Sequence, residues 1–261
     1  MIKVYENGNE FKLENKEFLD LNKYMSSLFY VNANTLTKTD TINYAIKAED
    51  GNKKTLAIRV EPYNLLLYGD IECLGELLGY LYNNKYVFSG IMCNTTIGDE
   101  LVKSHDYIQK FGMDFMEAKE YSLESSKEVL KATLDDLDQV YECVNKFFKD
   151  CGLPDTMDKD RLATKLDNFR LIKENERIVS LATYMYDTEN SFRVSHVYTR
   201  PECRGKGNAR KVVNYIKNEI LEMGKVATLN VDQKNPISNH LYLSLGFKKI
   251  YSQGIYSLKK N

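Results

Sequence analysis

The chain has little of what a metal or disulfide scaffold needs. Its 261 residues hold five cysteines, Cys73, Cys93, Cys143, Cys151 and Cys203, an odd number with no C-x-x-C pair. That excludes a disulfide framework and a cysteine-based zinc site. The three histidines, His105, His196 and His240, lack ligand spacing, so no metal is expected. No stretch approaches the ~18 consecutive apolar residues of a membrane span, and the opening MIKVYENGNEFK has no apolar signal core. Net charge is only -1 and the pI near 6.4, which gives no general attraction to nucleic acid or an anionic membrane. The expectation is a soluble cytoplasmic protein with neither partner. Two nucleotide signatures are missing as well. There is no full G-x-G-x-x-G with an acidic residue at the expected distance, which argues against a dinucleotide fold. Gly205-Lys206 is followed by Gly207 and not Ser or Thr, so there is no P-loop.

What is present is organised around residues 197–210, Val-Tyr-Thr-Arg-Pro-Glu-Cys-Arg-Gly-Lys-Gly-Asn-Ala-Arg. An apolar strand pattern runs through a proline and a glycine pair into a helix with Val212, Val213, Ile216, Ile220 and Leu221 on its apolar face. The first N–H groups of a helix have no internal partner, and the helix dipole adds positive charge there, so this layout suits a phosphate. Gly205 and Gly207 let a diphosphate approach the backbone, while Arg204, Lys206 and Arg210 add formal charge.

With 43% hydrophobic residues the chain can build one large core or two ordinary ones. The polar run Glu124-Ser125-Ser126-Lys127 sets the expected boundary, giving domains 1–126 and 127–261. In the first, Asn7-Gly8 predicts a hairpin, and Phe18, Leu21, Met25, Leu28 and Phe29 a helix. A second hairpin is expected across Asp50-Gly51, then a short strand at 65–68, a helix over 74–81, a strand at 86–92, a helix over 101–108 and a strand ending near Tyr121. In the second, the pattern reads strand 129–134, a helix capped by Asp135 or Asp136 through Phe147, a loop over 151–158, a helix over 159–166, and a hairpin of 169–173 with 178–186. A strand at 192–199 feeds the glycine loop and its helix. Strand 226–231, helix 238–245 and strands 247–251 and 255–258 follow.

Arg204, Gly207 and Ala209 fit R-x-x-G-x-[GA] behind Pro201-Glu202, and Asn235-Pro236-Ile237-Ser238-Asn239-His240-Leu241-Tyr242-Leu243-Ser244-Leu245-Gly246-Phe247 supplies an Asn followed by L-Y-x-x-x-G-F. With the order of elements, these residues resemble the GCN5-related N-acetyltransferase (GNAT) family, in a two-domain branch. The resemblance implies an α/β (α+β) fold, a mixed central sheet with flanking helices, as two tandem GNAT-like domains of which 1–126 is degenerate or accessory and 127–261 catalytic. It implies acetyl-CoA as co-substrate. The pantetheine arm would lie along the backbone of Val197 and Thr199, with Tyr198 between them pointing away. The diphosphate would sit on N–H groups from Arg204, Gly205, Lys206, Gly207, Asn208 and Ala209, and Asn235 and Asn239 would fix the arm or the adenine side.

Tyr242 corresponds to the family's general acid for the leaving thiolate. A phenol near pKa ~10 facing a thiol near ~8.5 makes full transfer uphill by about 2 kcal/mol, so hydrogen bonding is the larger expected effect. Many relatives carry a Glu on the strand before the loop, whereas Phe192-Arg193-Val194-Ser195-His196 has no carboxylate. The base is His196, a water chain, or nothing if the acceptor arrives neutral. In the first half, Ser89-Gly90-Ile91 stands where a phosphate loop is wanted and lacks the motif, so that half is expected to brace its neighbour and wall part of the acceptor site.

The function implied is N-acetyl transfer to a primary amine of a small molecule or protein. The alternatives are a CoA-binding sensor without turnover, or an acyltransferase with another acyl donor or a hydroxyl acceptor. The resemblance implies an acceptor pocket built by residues 150–167 and the neighbouring domain, but neither the acceptor itself nor the oligomeric state leaves a pattern in the sequence.

Overall fold

The computed structural model describes residues 1–122, 127–152 and 157–259, with the backbone alone at 23–26. The chain divides into two compact units, Met1–Asp114 with Tyr251–Asn261, and Phe115–Ile250. The expected boundary run falls largely on residues 123–126, outside the described residues. The division differs from a single cut near 126: residues 115–122 go with the second unit, and the chain from Tyr251 onward goes with the first. Strand pairing is the reason, since Gln253 to Tyr256 run antiparallel to Asn94 to Ile91. The Tyr256 ring also fills space left by Gly98, where a Cβ would lie 2.0 Å from the phenol oxygen.

The first unit runs β1 (Ile2–Val4), α1 (Gly8–Asp20), α2 (Lys23–Thr35), β2 (Tyr44–Asp50), β3 (Lys53–Arg59), β4 (Leu65–Gly69), a 3-10 turn (Ile71–Cys73), α3 (Leu74–Asn83), β5 (Ile91–Asn94) and α4 (Thr95–Ser104). Strand β6 (Tyr107–Ala118) then carries the chain into the second unit. The hairpin across Gly51 forms, with Asp50 opposite Lys53 and Gly51 at φ +58°. The hairpin expected at Asn7-Gly8 does not. Asn7 instead caps α1, its Oδ1 accepting from the N–H groups of Asn9 and Glu10 at 3.0 and 3.1 Å. The partner of β1 is β2, over forty residues away (Ile2 opposite Ala48). The expected strand at 86–92 begins only at Ile91. The helix expected over 101–108 starts earlier because Asn94 accepts from the Ile97 N–H at 2.9 Å and caps α4.

The second unit runs β7 (Leu130–Lys131), α5 (Leu137–Asp150), α6 (Lys159–Ala163), β8 (Phe169–Glu174), β9 (Arg177–Thr188), β10 (Ser191–Thr199), a 3-10 turn (Pro201–Cys203), α7 (Asn208–Glu222), β11 (Val226–Asp232) and α8 (Pro236–Ser244), after which β12 (Lys248–Leu258) carries the chain back into the first unit. The two strands expected at 247–251 and 255–258 are one continuous β12. Its far half is held by pairing with β5, which no local pattern announces. Within this unit the strands lie in the order β6-β11-β10-β9-β8-β7. Val212, Val213, Ile216 and Ile220 of α7 cover one face with Val194, Ala227 and Leu229, each large apolar side chain contributing of order 2 kcal/mol by burial. Val140, Cys143 and Val144 of α5 cover the other with Leu171, Leu181 and Tyr198.

The two units repeat one plan. β1 to β4 and β7 to β10 pair antiparallel in succession. A 3-10 turn and a helix then lead to a parallel neighbour, β5 or β11. The counterpart of the glycine loop in the first unit is therefore the β4–α3 connection at Asp70, and not Ser89-Gly90-Ile91 as the sequence suggested. There the 3-10 turn runs straight into α3 with no glycine-opened insert, and its charges are Asp70, Glu72 and Glu76, the wrong sign for a phosphate.

Candidate functional site

The site is built on β10. Its parallel pairing with β11 runs from Ser191 opposite Val226 to Val194 opposite Leu229 and stops there. On the other edge, pairing with β9 continues to Thr199 opposite Ser180, with one extra residue on β10 between Ser195 and Tyr198. His196 takes that extra position at φ +50°, a left-handed conformation uncommon outside glycine. Residues 195–199 thus keep one neighbouring strand and have left the other, opening a wedge between β10 and β11. Val197 packs toward the α7 core and Tyr198, 4% exposed, toward the α5 core, so these neighbours point to opposite faces.

At the end of this strand Arg200 acts as a buried clamp. Its Nε donates to the Ile178 carbonyl at 2.6 Å, and its two terminal nitrogens grip both carboxylate oxygens of Glu142 at 3.0 and 2.9 Å. The guanidinium holds the Glu142 carboxyl down at about 2, with Lys146 adding to the effect. The chain then turns through Pro201–Cys203 and reaches Gly205 and Gly207, both at φ +78° with open space where a Cβ would stand. Gly207 is the N-cap of α7 and brings no capping side chain. The Lys211 N–H bonds back to Gly207 O at 3.1 Å, so the N–H groups of Asn208, Ala209 and Arg210 precede the helical ladder. Asn208 is 6% exposed and its buried Nδ2 has no hydrogen-bond partner.

The cations around the loop already have partners. Arg204 donates from Nε to Thr199 O at 3.0 Å and from Nη2 to Asp150 at 2.8 Å, Lys206 stands 3.8 Å from Glu174, and Arg210 reaches Ser244 Oγ at 2.7 Å. Thr199 Oγ1 lies 2.8 Å from Ser180 Oγ. Asn235 caps α8 by accepting from the Ser238 N–H at 3.0 Å, and Asn239 Nδ2 ties that helix to Asp232 O and Asn235 O at 2.9 and 2.8 Å. Both asparagines therefore set the β11–α8 corner.

Tyr242, 7% exposed, lies in the α7 core with Cys203, Val213 and Phe247. Burial pushes its phenol up to about 12, against a smaller opposing hydrogen bond with Ser238. His196 is 7% exposed among Phe147 and Phe148, each 5.4 Å away, and Phe169 at 6.3 Å. Its Nδ1 has no partner, and burial, with Lys165 acting the same way, pulls its pKa down to about 4.

Two features escaped the sequence reading. The Arg200–Glu142 clamp spans 58 positions and has no local signature. Lys217 is 1% exposed; it falls four residues after Val213 on the apolar stripe of α7, and that periodicity was its available signal. Among the described residues no group of three or more His, Cys, Asp or Glu could hold a metal ion, and no helix is long and apolar enough to cross a membrane.

Residues 171–256 match the model of the family described as FR47-like protein. Among solved structures the chain is similar to an acetyltransferase from the GNAT family of Colwellia psychrerythraea, at 12% identity over 99% of this chain and 100% of that one, with a TM-score of 0.65. It is also similar to a GCN5-related N-acetyltransferase from Sphaerobacter thermophilus, at 14% identity over 98% and 94%, TM-score 0.62. No curated protein matches. At these identities the likeness is one of fold, and the fold is that of the GNAT acetyltransferases, a mixed sheet with flanking helices.

Proposed function

We propose that the unit Phe115–Ile250 transfers an acyl group, acetyl first among them, from a coenzyme A thioester to a primary amine of a small molecule or protein. The observation that carries this reading is the wedge after Val194 and Leu229, which ends at the glycine-opened start of α7. A diphosphate suits that helix start. The N–H groups ahead of the ladder, the buried unpartnered Asn208 Nδ2 and the open space over Gly205 and Gly207 all fit an anion. Arg204, Lys206 and Arg210 would hold it, because exposed pairs such as Arg204–Asp150 are worth little and yield to a multiply charged group. Backbone groups of Val197 and Thr199 would line the arm, with Asn235 and Asn239 fixing the far corner. The thioester supplies an activated acyl carbon.

Tyr242 keeps its proton. With its phenol near 12 and an ordinary thiol near ~8.5, transfer would be uphill by about 5 kcal/mol, so its contribution is a hydrogen bond to the departing sulfur. His196, held neutral by its aromatic surround, is too weak a base for an ammonium, so the amine enters uncharged or gives its proton to water. We read the first unit as a degenerate copy without a coenzyme site, on the acidic loop at Asp70.

The test is titration calorimetry with acetyl-CoA, followed by thiol release over a panel of amines. Tyr242→Phe should lower kcat by roughly 10- to 100-fold with little change in acetyl-CoA affinity. Absence of binding at millimolar acetyl-CoA sinks the reading, and binding without turnover on any acceptor points to a sensor.

A further inference from the structure

A lysine at 1% exposure needs an explanation, since burying an ammonium without partners is costly. Lys217 donates from Nζ to the carbonyl oxygen of Leu245 at 2.9 Å. Leu245 is the residue that closes α8, and the turn behind it is glycine-terminated, with Gly246 at φ +83°. The Gly246 N–H returns to Leu243 O at 3.0 Å and the Phe247 N–H to Tyr242 O at 3.1 Å. Tyr242 is thus the residue whose carbonyl closes the turn. A cation is favoured at this end, where the helix carries partial negative charge. Arg210, from the first turn of the same α7, reaches Ser244 Oγ at 2.7 Å, and that hydroxyl donates on to Leu241 O at 2.7 Å. One helix therefore offers its start to the coenzyme and grips the last turn of the helix that carries the phenol.

We infer that Lys217 is a positioning residue for Tyr242: its ammonium sets the depth of the last α8 turn and so the place of the phenol. This inference rests on the acyltransferase reading. If Lys217 only filled volume, an unbranched apolar side chain of similar length would serve as well. Removing the donor frees the Leu245 carbonyl to seek another partner, and a displacement of about 1 Å at a reacting group can cost up to about 100-fold in rate.

The experiment compares Lys217→Met and Lys217→Arg in the full chain, with Lys225→Met as control, a surface lysine that reaches Glu189 O at 2.9 Å. Steady-state kinetics and acetyl-CoA titration are read beside the NMR signal of ring-labelled tyrosine, Tyr242 being assigned by Tyr242→Phe. Lys217→Met should lose about tenfold in kcat with affinity within twofold and a shifted Tyr242 resonance. Lys217→Arg should recover most of the rate, and Lys225→Met should match the wild type. Wild-type kcat with an unmoved resonance in Lys217→Met overturns the inference, as does a rate loss that merely follows lost affinity. Should Lys217→Met fail to fold, Lys217→Gln carries the same comparison. If the wild type neither binds nor turns over acetyl-CoA, the acyltransferase reading falls, and the resonance still decides whether Lys217 holds the turn.

Discussion

Replacing His196 by asparagine should flatten the acid side of the stability profile. In the folded protein the ring is enclosed by Phe147, Phe148 and Phe169 and its pKa sits at about 4, against 6.5 for a free side chain. Between those values the unfolded chain binds a proton that the folded one refuses, so stability must fall as pH falls from about 6.5 toward 4. The difference of about 2.5 pKa units corresponds to roughly 3 kcal/mol in full, of which about 2 kcal/mol is lost by pH 5. Asparagine is the substitution of choice because it tolerates the left-handed φ of +50° and does not titrate. Urea unfolding at pH 7, 6, 5 and 4.5 for both proteins isolates the histidine, since every other group is common to the pair. The wild type should lose stability faster by the stated amount. Parallel profiles would refute the account of a histidine kept neutral by burial, and would reopen its candidacy as the base.

Gly207→Val should weaken acetyl-CoA binding at least tenfold while the protein still folds, because the side chain enters the open space over the helix start and strains a φ of +78° by about 1–2 kcal/mol; calorimetry and a thermal melt check the two parts. Asp150→Asn should tighten acetyl-CoA binding by up to about fivefold, since it releases Arg204 from an exposed pair worth no more than about 1 kcal/mol; unchanged affinity would show that Arg204 does not reach the coenzyme. Glu142→Gln should destabilise the second unit by about 2 kcal/mol in urea, because the 2%-exposed Arg200 loses its counter-charge while keeping a carbonyl partner.

Much of the second half was legible because its signals are local. The glycines at 205 and 207 permit the left-handed backbone that they adopt here, and a helix following them must present unladdered N–H groups. The β8–β9 and β2–β3 hairpins follow from alternation around a short turn. Asn7-Gly8 misled for the opposite reason. The same dipeptide serves as a hairpin turn or a helix cap, and the choice was made by β2 taking β1 as its partner; position 8 is glycine because the Ala33 carbonyl leaves no room there for a Cβ (1.9 Å). His196 read as a candidate base because its intrinsic pKa suits one. Only the fold brings three phenylalanines from α5 and β8 around it, and burial among them disfavours its charged form.

The sequence alone determined the composition of the glycine loop, most of the order of strands and helices in the second half, and the presence of a tyrosine followed by a glycine stop, since each depends on backbone preferences within a few residues. Tertiary structure decided which unit owns the last strand, where β10 leaves β11, and which polar groups lie buried, among them His196, Arg200 and Lys217. Those outcomes depend on contacts between residues tens of positions apart, and desolvation acts on a side chain only once such contacts have closed around it.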